Sequence, residues 1–221
     1  MRSTSRRLLV VGTIGAALVA SAVPAQAQVA TASRVVLAAG HVDVVDVEYE
    51  DGALEIGVHD ETVEPGVERE PDDVLFKVKG SARTTVPADP AFGFLGVPGA
   101  PVWILPEAQD ENLLWPGLST EELEAGLFSG DAVMLSVVRV VGPGQLAVYT
   151  ENAVGQPNVL ADSGDGTPDA VGLSVADHLH ANWAFDQAGT YTVKVRAAAT
   201  LAASGQRVSS EIVNLRFVVK P

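Results

Sequence analysis

Two of the chain's four histidines, His178 and His180, are separated by a single residue. In a β-strand, side chains two positions apart lie about 7 Å apart on the same face. The apolar residues that alternate with them over 179–185 then face the core, which leaves both imidazoles and Asn182 on the polar face. Imidazole is the commonest side-chain ligand of metals in proteins. The spacing therefore predicts a metal site displayed on a β-scaffold.

The other two histidines lie in the first predicted hairpin, each close to a carboxylate. Such a carboxylate can act as a ligand or can accept a hydrogen bond from the far imidazole nitrogen. A strict two-residue turn places His41 and His59 on opposite faces, whereas a one-residue bulge at the turn places them on the same face. The sequence leaves both registers open. The predicted metal-binding residues are His178, His180, one or both of His41 and His59, and Asp43 or Asp60 in support.

Imidazole and carboxylate ligands suit zinc, manganese, copper or iron, and zinc is the ion that we expect first. A shared site requires the first hairpin to cross the polar face of the His178–His180 strand. Its ligand nitrogens should then lie roughly 3–3.5 Å apart. Because the imidazoles must be neutral, metal affinity should fall as the pH drops below about 6.

Other chemical signals are weaker. The Asp-rich loop over 162–169 could wrap calcium, but it lacks EF-hand spacing, and we favour a turn between strands. The chain has no Gly-x-Ser-x-Gly elbow, phosphate loop, dinucleotide fingerprint or His-Glu-x-x-His motif. We therefore expect a binding protein and no enzymatic activity.

The first 27 residues have the pattern of a signal peptide. A basic start precedes an apolar run over 8–23, and Ala25-Gln26-Ala27 forms a small-x-small cleavage site. We expect export by the general secretory route, with the twin-arginine route as the alternative. The mature chain would then begin at Gln28, with no membrane insertion after signal cleavage. We expect it to be secreted and extracellular, either released or held at the cell wall by non-covalent contacts.

The chain is acidic and has no cysteine. The signal segment holds three of the 14 basic residues and none of the 28 acidic ones, so residues 28–221 carry a net charge of −17. Such a charge repels nucleic acid and anionic membranes, and neither is an expected partner. The lack of cysteine excludes disulfides, thiolate metal ligands and cysteine nucleophiles. Stability must come from a hydrophobic core.

Apolar residues with a period of two, between Gly, Pro and Asp turns, predict β-structure along most of the chain. Asp51-Gly52 predicts a tight hairpin, and Tyr191 after Ala188-Gly189 resembles the tyrosine corner of immunoglobulin-like domains. A capping box at Ser119 and Glu122 predicts one short helix over about 120–125. The predicted strands cover 42–50, 53–59, 73–78, 101–105, 132–141, 145–150, 190–197 and 208–219. These elements predict a single all-β domain over 28–221, an antiparallel immunoglobulin-like β-sandwich with one short helix.

The segment His-Leu-His-Ala-Asn-Trp-Ala-Phe at 178–185 resembles the repeat of actinobacterial surface-anchored proteins of the choice-of-anchor M group. The resemblance extends through 40–43, 94–96, 102–106, 142–144 and 188–193. Members of that group are exported, carry varied C-terminal anchors and tend to be encoded beside metal-type ABC transporters. The resemblance implies metal capture or delivery at the cell surface. The C-terminal residues over 216–221 show neither a hydrophobic anchor nor a sortase-type motif, a departure from the pattern, so we expect no anchored attachment to the wall.

Two functional hypotheses follow. The first is a secreted protein that binds a divalent transition metal and supplies it to a metal ABC transporter or to that transporter's binding protein. The second is a cell-surface or wall-associated adhesion or interaction module without a metal role. It depends on the Pro/Gly-rich loop over 87–116, whose aromatic residues could contact a glycan or protein. We favour the alternative in which they close the end of the sandwich. Those residues are Phe92, Phe94, Trp103 and Trp115.

Overall fold

The alternating apolar pattern produces seventeen strands in the computed structural model, which describes residues 33–221. The strands are β1 (Val35–Leu37), β2 (Gly40–Glu50), β3 (Ala53–Asp60), β4 (Val67–Arg69), β5 (Val74–Val78), β6 (Arg83–Thr85), β7 (Pro101–Leu105), β8 (Leu114–Ser119), β9 (Ala132–Val141), β10 (Leu146–Glu151), β11 (Pro157–Asp162), β12 (Asp169–Ser174), β13 (His178–His180), β14 (Asn182–Phe185), β15 (Gly189–Thr200), β16 (Arg207–Ser209) and β17 (Val213–Val219). The predicted signal peptide lies outside the described residues.

These strands form three sheets. A seven-stranded sheet has the order β1-β5-β17-β15-β9-β12, with β16 beside β15. One five-stranded sheet has the order β11-β10-β14-β7-β6, and the other has the order β13-β8-β2-β3-β4. All four histidines lie on this last sheet, which we call the site sheet.

Side chains from all three sheets pack into one hydrophobic core. Phe76, Tyr191 and Phe217 come from the seven-stranded sheet, Leu54 from the site sheet and Trp183 from the remaining sheet, and all are almost fully buried. The all-β sandwich predicted from the sequence is confirmed. No helix among residues 33–221 is long and apolar enough to span a membrane.

The first hairpin combines a tight turn with a bulge further along its strands. Asp51 and Gly52 have positive φ angles of 48° and 86°, and Tyr49 pairs with Leu54, as the Asp-Gly turn predicts. The register then shifts, so that Asp43 pairs with His59 while Asp46 pairs with Gly57. Because the bulge adds a residue on β2, the side chains on both sides of it can face the same polar surface.

The predicted tyrosine corner is confirmed. The hydroxyl of Tyr191 donates a hydrogen bond to the backbone carbonyl of Gln187, 2.8 Å away. The ring itself is completely buried and packs edge-on against Phe185. This corner fixes the start of β15 directly after the histidine-bearing segment.

Three features differ from the sequence prediction. Residues 120–125 form turns, and the helical residues of the described chain lie in short 3-10 segments at Pro71–Asp73, Gly80–Ala82, Pro90–Leu95 and Ser129–Asp131. The sheets are mixed, because β1–β5, β5–β17 and β2–β8 pair in parallel. The histidine segment is divided at Ala181: β13 pairs with β8, whereas β14 pairs with β10 and β7 in another sheet.

Candidate metal centre

Three neighbouring strands of the site sheet place their polar side chains around a glycine. On the central strand, β8, Gly117 pairs with Asp43 of β2 on one side and with His180 of β13 on the other. A Cβ atom at Gly117 would collide with the carboxylate of Asp43 and would lie 2.6 Å from Nε2 of His178. The missing side chain therefore opens the space in which the flanking ligands meet.

Three imidazoles and one carboxylate converge there, and we call this group, formed by His41, Asp43, His178 and His180, the histidine site. Nε2 of His41 lies 3.2 Å from Nε2 of His178. Oδ1 of Asp43 lies 2.8 Å from Nε2 of His178 and 3.5 Å from Nε2 of His41. Each histidine offers a nitrogen within 4.8 Å of the other two. Around tetrahedral zinc, ligand nitrogens are about 3.3 Å apart, so little movement would close the site.

Each imidazole is oriented by an oxygen acceptor at its outer nitrogen. Nδ1–H of His41 donates to Glu61 at 2.8 Å, and Nδ1–H of His178 donates to Glu121 at 3.0 Å. Nδ1–H of His180 donates to the backbone carbonyl of residue 116 at 3.0 Å. These acceptors favour the tautomer that leaves Nε2 free, as outer partners do for metal-bound histidines.

An indole ring fixes His180 in place. The ring of Trp115 stacks on His180 with 3.7 Å between centroids and an angle of 6° between planes. Its Nε1–H donates to the backbone carbonyl of Glu107. Asn182 in turn accepts a hydrogen bond from the backbone N–H of Glu107 and donates one to its carboxylate. Asn182 thus lies away from the imidazole face where the sequence had placed it, and reaches the site through Glu107 and Trp115.

The charges at this site depend on its carboxylates. The neighbouring carboxylate of Asp43, with a further contribution from Glu61, raises the pKa of His41 to about 9 although burial opposes the shift. Burial lowers the pKa of His180. Without a metal ion at pH 7, His41 is therefore an imidazolium beside Asp43, and His180 is neutral. A metal ion would replace the proton on Nε2 of His41.

His59 lies outside this group, although it projects from the same face of the sheet. It pairs with Glu68 of β4, and its Nε2 lies 3.6 Å from Oε1 of Glu61. Together with Asp46 of β2 it forms a second set of candidate ligands, whose atoms also lie within 4.8 Å of one another. We call Asp46, His59 and Glu68 the acidic site.

Asp60, a candidate ligand on sequence grounds, belongs to neither site. Its fully buried carboxylate accepts hydrogen bonds from the backbone and hydroxyl of Thr62 and forms a salt bridge with Arg69 at 2.7 Å. Burial raises the pKa of Asp60, but these partners outweigh it and lower the pKa overall. Asp60 is committed to holding the end of the hairpin, and Asp43 supplies the carboxylate of the histidine site.

The other two sequence candidates have structural explanations. In the Asp-rich loop, Asp162 accepts from the backbone of Gly164, Asp165 accepts from Thr167, and Asp169 accepts from the backbone of Asp162. These bonds are those of a turn between strands, as favoured from the sequence. Of the four aromatic residues over 87–116, Phe92 and Trp103 are buried, Phe94 is partly buried and packs with Phe92, and Trp115 belongs to the histidine site.

Sequence reasoning did not find four residues that shape the two sites. Gly117 and Trp115 lie in β8. This strand was not predicted, because the proline and glycine at 116 and 117 usually mark a loop. Asp46 and Glu68 join His59 only through the bulged register of β2 and β3 and the pairing of β3 with β4. One sequence signal could have indicated Asp46: His41, Asp43 and Asp46 all lie on the polar face of one strand if a one-residue bulge lies between Asp43 and Asp46.

Fold and geometry thus define an all-β protein with a candidate histidine metal centre on a sheet face. No family model, curated protein or solved structure matches the chain.

Proposed function

We propose that this protein binds one divalent transition metal ion, zinc first, at His41, His178, His180 and Asp43, and that it captures or delivers the ion outside the cell. The geometry supports the basis of this proposal, because three histidines form a cluster that could hold a metal ion. Manganese, copper and iron share this ligand chemistry.

One observation carries the proposal. Oδ1 of Asp43 is buried and has no hydrogen-bond partner, although Nε2 of His178 lies only 2.8 Å away. In neutral His178 with Nδ1–H donated to Glu121, Nε2 presents a lone pair to the carboxylate. These two facing acceptors repel each other, and a buried unpartnered oxygen costs free energy. Without a metal ion, the His41 imidazolium supplies the positive charge beside them, with its Nε2 3.5 Å from Oδ1. A cation between them would satisfy both atoms.

The ligand count favours binding over catalysis. Three imidazoles and one carboxylate would fill the tetrahedral shell of zinc, whereas catalytic zinc sites keep one position open for water or substrate. The site would hold an ion without activating a water molecule. Capture and delivery therefore fit the ligand set better than hydrolysis.

The proposed extracellular role has two supports. The chain outside the signal-like segment is strongly acidic, which attracts cations to its surface. The resemblance to surface proteins encoded beside metal-type ABC transporters suggests such a transporter, or its binding protein, as the recipient of the ion. We extend the proposal to export and to that partner on these grounds.

Metal analysis of untagged protein tests the binding proposal. After reconstitution with zinc and removal of excess metal, the wild type should retain one ion at the histidine site. A His178→Ala/His180→Ala variant should lose that ion. A Glu55→Gln variant, altered at an exposed position of the same sheet, should keep it. If the wild type retains no zinc, manganese, copper or iron in stoichiometric amount, the proposal must be abandoned.

The alternative of an adhesion module lacks a supporting observation. It required exposed aromatic residues in the loop over 87–116, but Phe92 and Trp103 are buried and Trp115 stacks on His180. A normally folded Trp115→Ala variant that weakens metal binding would be consistent with the geometry of the histidine site.

A further inference from the structure

The acidic site lies on the other side of β2 from the histidine site. Asp46 projects from β2, His59 from β3 and Glu68 from β4, and the three can each place one ligand atom within 4.8 Å of the others. Three strands again contribute, as in the histidine site. His59 and Glu68 are a directly paired couple across β3 and β4.

Asp46 is the residue that sets this cluster apart from an ordinary charged surface. Only 4% of the residue is exposed, and its Oδ1 has no hydrogen-bond partner. Burial raises the pKa of Asp46, although a hydrogen bond with Ser119 opposes the shift. A buried carboxylate with one oxygen left unpartnered is destabilising unless a cation neutralises it.

The backbone leaves room beside this carboxylate. Asp46 pairs with Gly57 of β3, and the nearest atom that a Cβ at Gly57 would meet is an oxygen of Glu68, 3.5 Å away. A groove of about 210 Å³ runs past this glycine. Its charged lining is four glutamates and one arginine that forms a salt bridge with Asp60: Glu48, Glu55, Glu68, Glu70 and Arg69. The groove gives a cation an acidic approach to the cluster.

The ligand types differ from those of the histidine site. One imidazole and two carboxylates form an oxygen-rich set, which suits harder divalent ions such as Mn²⁺ better than a set of three imidazoles does. Glu61 stands between the two sites, because Oε2 accepts from Nδ1 of His41 at 2.8 Å while Oε1 lies 3.6 Å from Nε2 of His59.

We propose that Asp46, His59 and Glu68 form a second divalent-cation site, of the Mn²⁺-binding class, beside the histidine site. The two sites use different residues, so this inference does not depend on metal binding at the histidine site. Glu61 would link the two sites, because its carboxylate contacts His41 of one site and His59 of the other.

Titration with Mn²⁺ of untagged protein that carries one equivalent of zinc, with the free ion followed by electron paramagnetic resonance, tests the inference. Zinc should stay in the histidine site, since such ligands bind it more tightly than manganese. We expect one Mn²⁺ per chain. His59→Gln and Asp46→Asn each remove a direct ligand. Loss of an outer partner already weakens metal binding about 10- to 100-fold, so each variant should weaken Mn²⁺ binding by at least that much. Glu50→Gln, the same loss of charge at an exposed position of β2 outside the groove, should change it much less.

The same Mn²⁺ titration on the zinc-free His178→Ala/His180→Ala variant separates the two proposals. Retention of one Mn²⁺ there, with zinc binding lost, supports the second site. If Mn²⁺ binding disappears in that variant but survives in Asp46→Asn, the ion occupies the histidine site and the inference is overturned. A zinc-loaded wild type that binds no Mn²⁺ also overturns it, while the proposed function stands. Circular dichroism checks that each variant is folded.

Discussion

The histidine site and the acidic site lie on one face of one sheet, on opposite sides of β2, yet they balance charge differently. In the histidine site, the pKa of His41 is raised to about 9, so a proton stands beside the carboxylate of Asp43. In the acidic site, burial lowers the pKa of His59, but Glu68 and the other neighbouring carboxylates outweigh it and raise the pKa overall. Each site also has one buried aspartate oxygen without a hydrogen-bond partner, in Asp43 and in Asp46. The two sites differ in their ligands: three imidazoles and one carboxylate in the histidine site, one imidazole and two carboxylates in the acidic site. A proton on one imidazole therefore balances the carboxylate charge in the first site and leaves an excess of negative charge in the second. The ligand types, more than the scaffold, therefore determine the net charge of each site without metal.

The largest expected effect comes from filling the glycine gap. Gly117→Ala should weaken zinc binding by at least about 100-fold, more than the loss of an outer partner, because the new methyl group occupies the space between Asp43 and His178. Gly57→Ala, the matched change beside the acidic site, meets its nearest neighbour at an ordinary 3.5 Å and should be mild. Calorimetric zinc titration of both folded variants measures the contrast. Equal losses of zinc affinity in the two variants would contradict the prediction that only the methyl group at position 117 occupies a ligand space.

Acidity should weaken zinc binding over a range set by His41. Its pKa of about 9 lies above the usual 6.5, so zinc must displace one proton at pH 7. Apparent zinc affinity should fall about tenfold per pH unit from pH 9 to 7, or about 100-fold in all. This decline begins well above the pH of about 6 that an ordinary imidazole predicts. Calorimetry in buffers of different ionisation enthalpy counts the proton, and release of none would contradict the prediction.

The same group affects the stability of the metal-free protein with the opposite sign. Because the folded pKa of His41 exceeds the unfolded value, its contribution is fully present below about pH 6.5 and is lost as the pH rises through about 9. Melting curves of the metal-free wild type and of His41→Gln should therefore converge at alkaline pH. A difference that grows with pH would exclude His41 as the cause.

Neutralising the two buried aspartates should shift stability in opposite directions. Asp46→Asn removes a charge that burial disfavours, since burial raises the pKa of Asp46, and should raise the Tm of the metal-free protein by about 2–6 °C. Asp43→Asn removes the counter-charge of the His41 imidazolium and should lower the Tm at pH 7. Differential scanning calorimetry compares the two. Shifts of the same sign would mean that the aspartates are in equivalent environments.

The smallest effect should come from the support of His180. Trp115→Phe keeps an aromatic ring but loses the Nε1–H bond to the carbonyl of Glu107. Such a bond contributes about 1 kcal/mol, so zinc affinity should fall about two- to tenfold. Mn²⁺ binding at the acidic site should not change in this variant. A parallel loss at both sites would point to a general disturbance of the sheet.

The sequence predicts local periodicity well and cross-strand register poorly. His178 and His180 share a face because a two-residue period holds within β13. Asn182 leaves that face because the chain changes sheets at Ala181, a step that no local pattern signals. The sequence does not distinguish a bulge near the turn from one in mid-strand, because Val44 and Val45 are equally apolar. Both are fully buried in the structure. The acidic site depends on that register and was therefore missed.

The two halves of the histidine site lie far apart along the chain, and this separation has a consequence for unfolding. His41 and His178 are 137 residues apart. An ion bound to both would act as a reversible cross-link in a chain that has no cysteine. In the chain-entropy description, closing a loop of this length restricts the denatured ensemble by up to about 5 kcal/mol. Release of the ion would then remove this cross-link, so the metal-free protein would also be more susceptible to proteolysis.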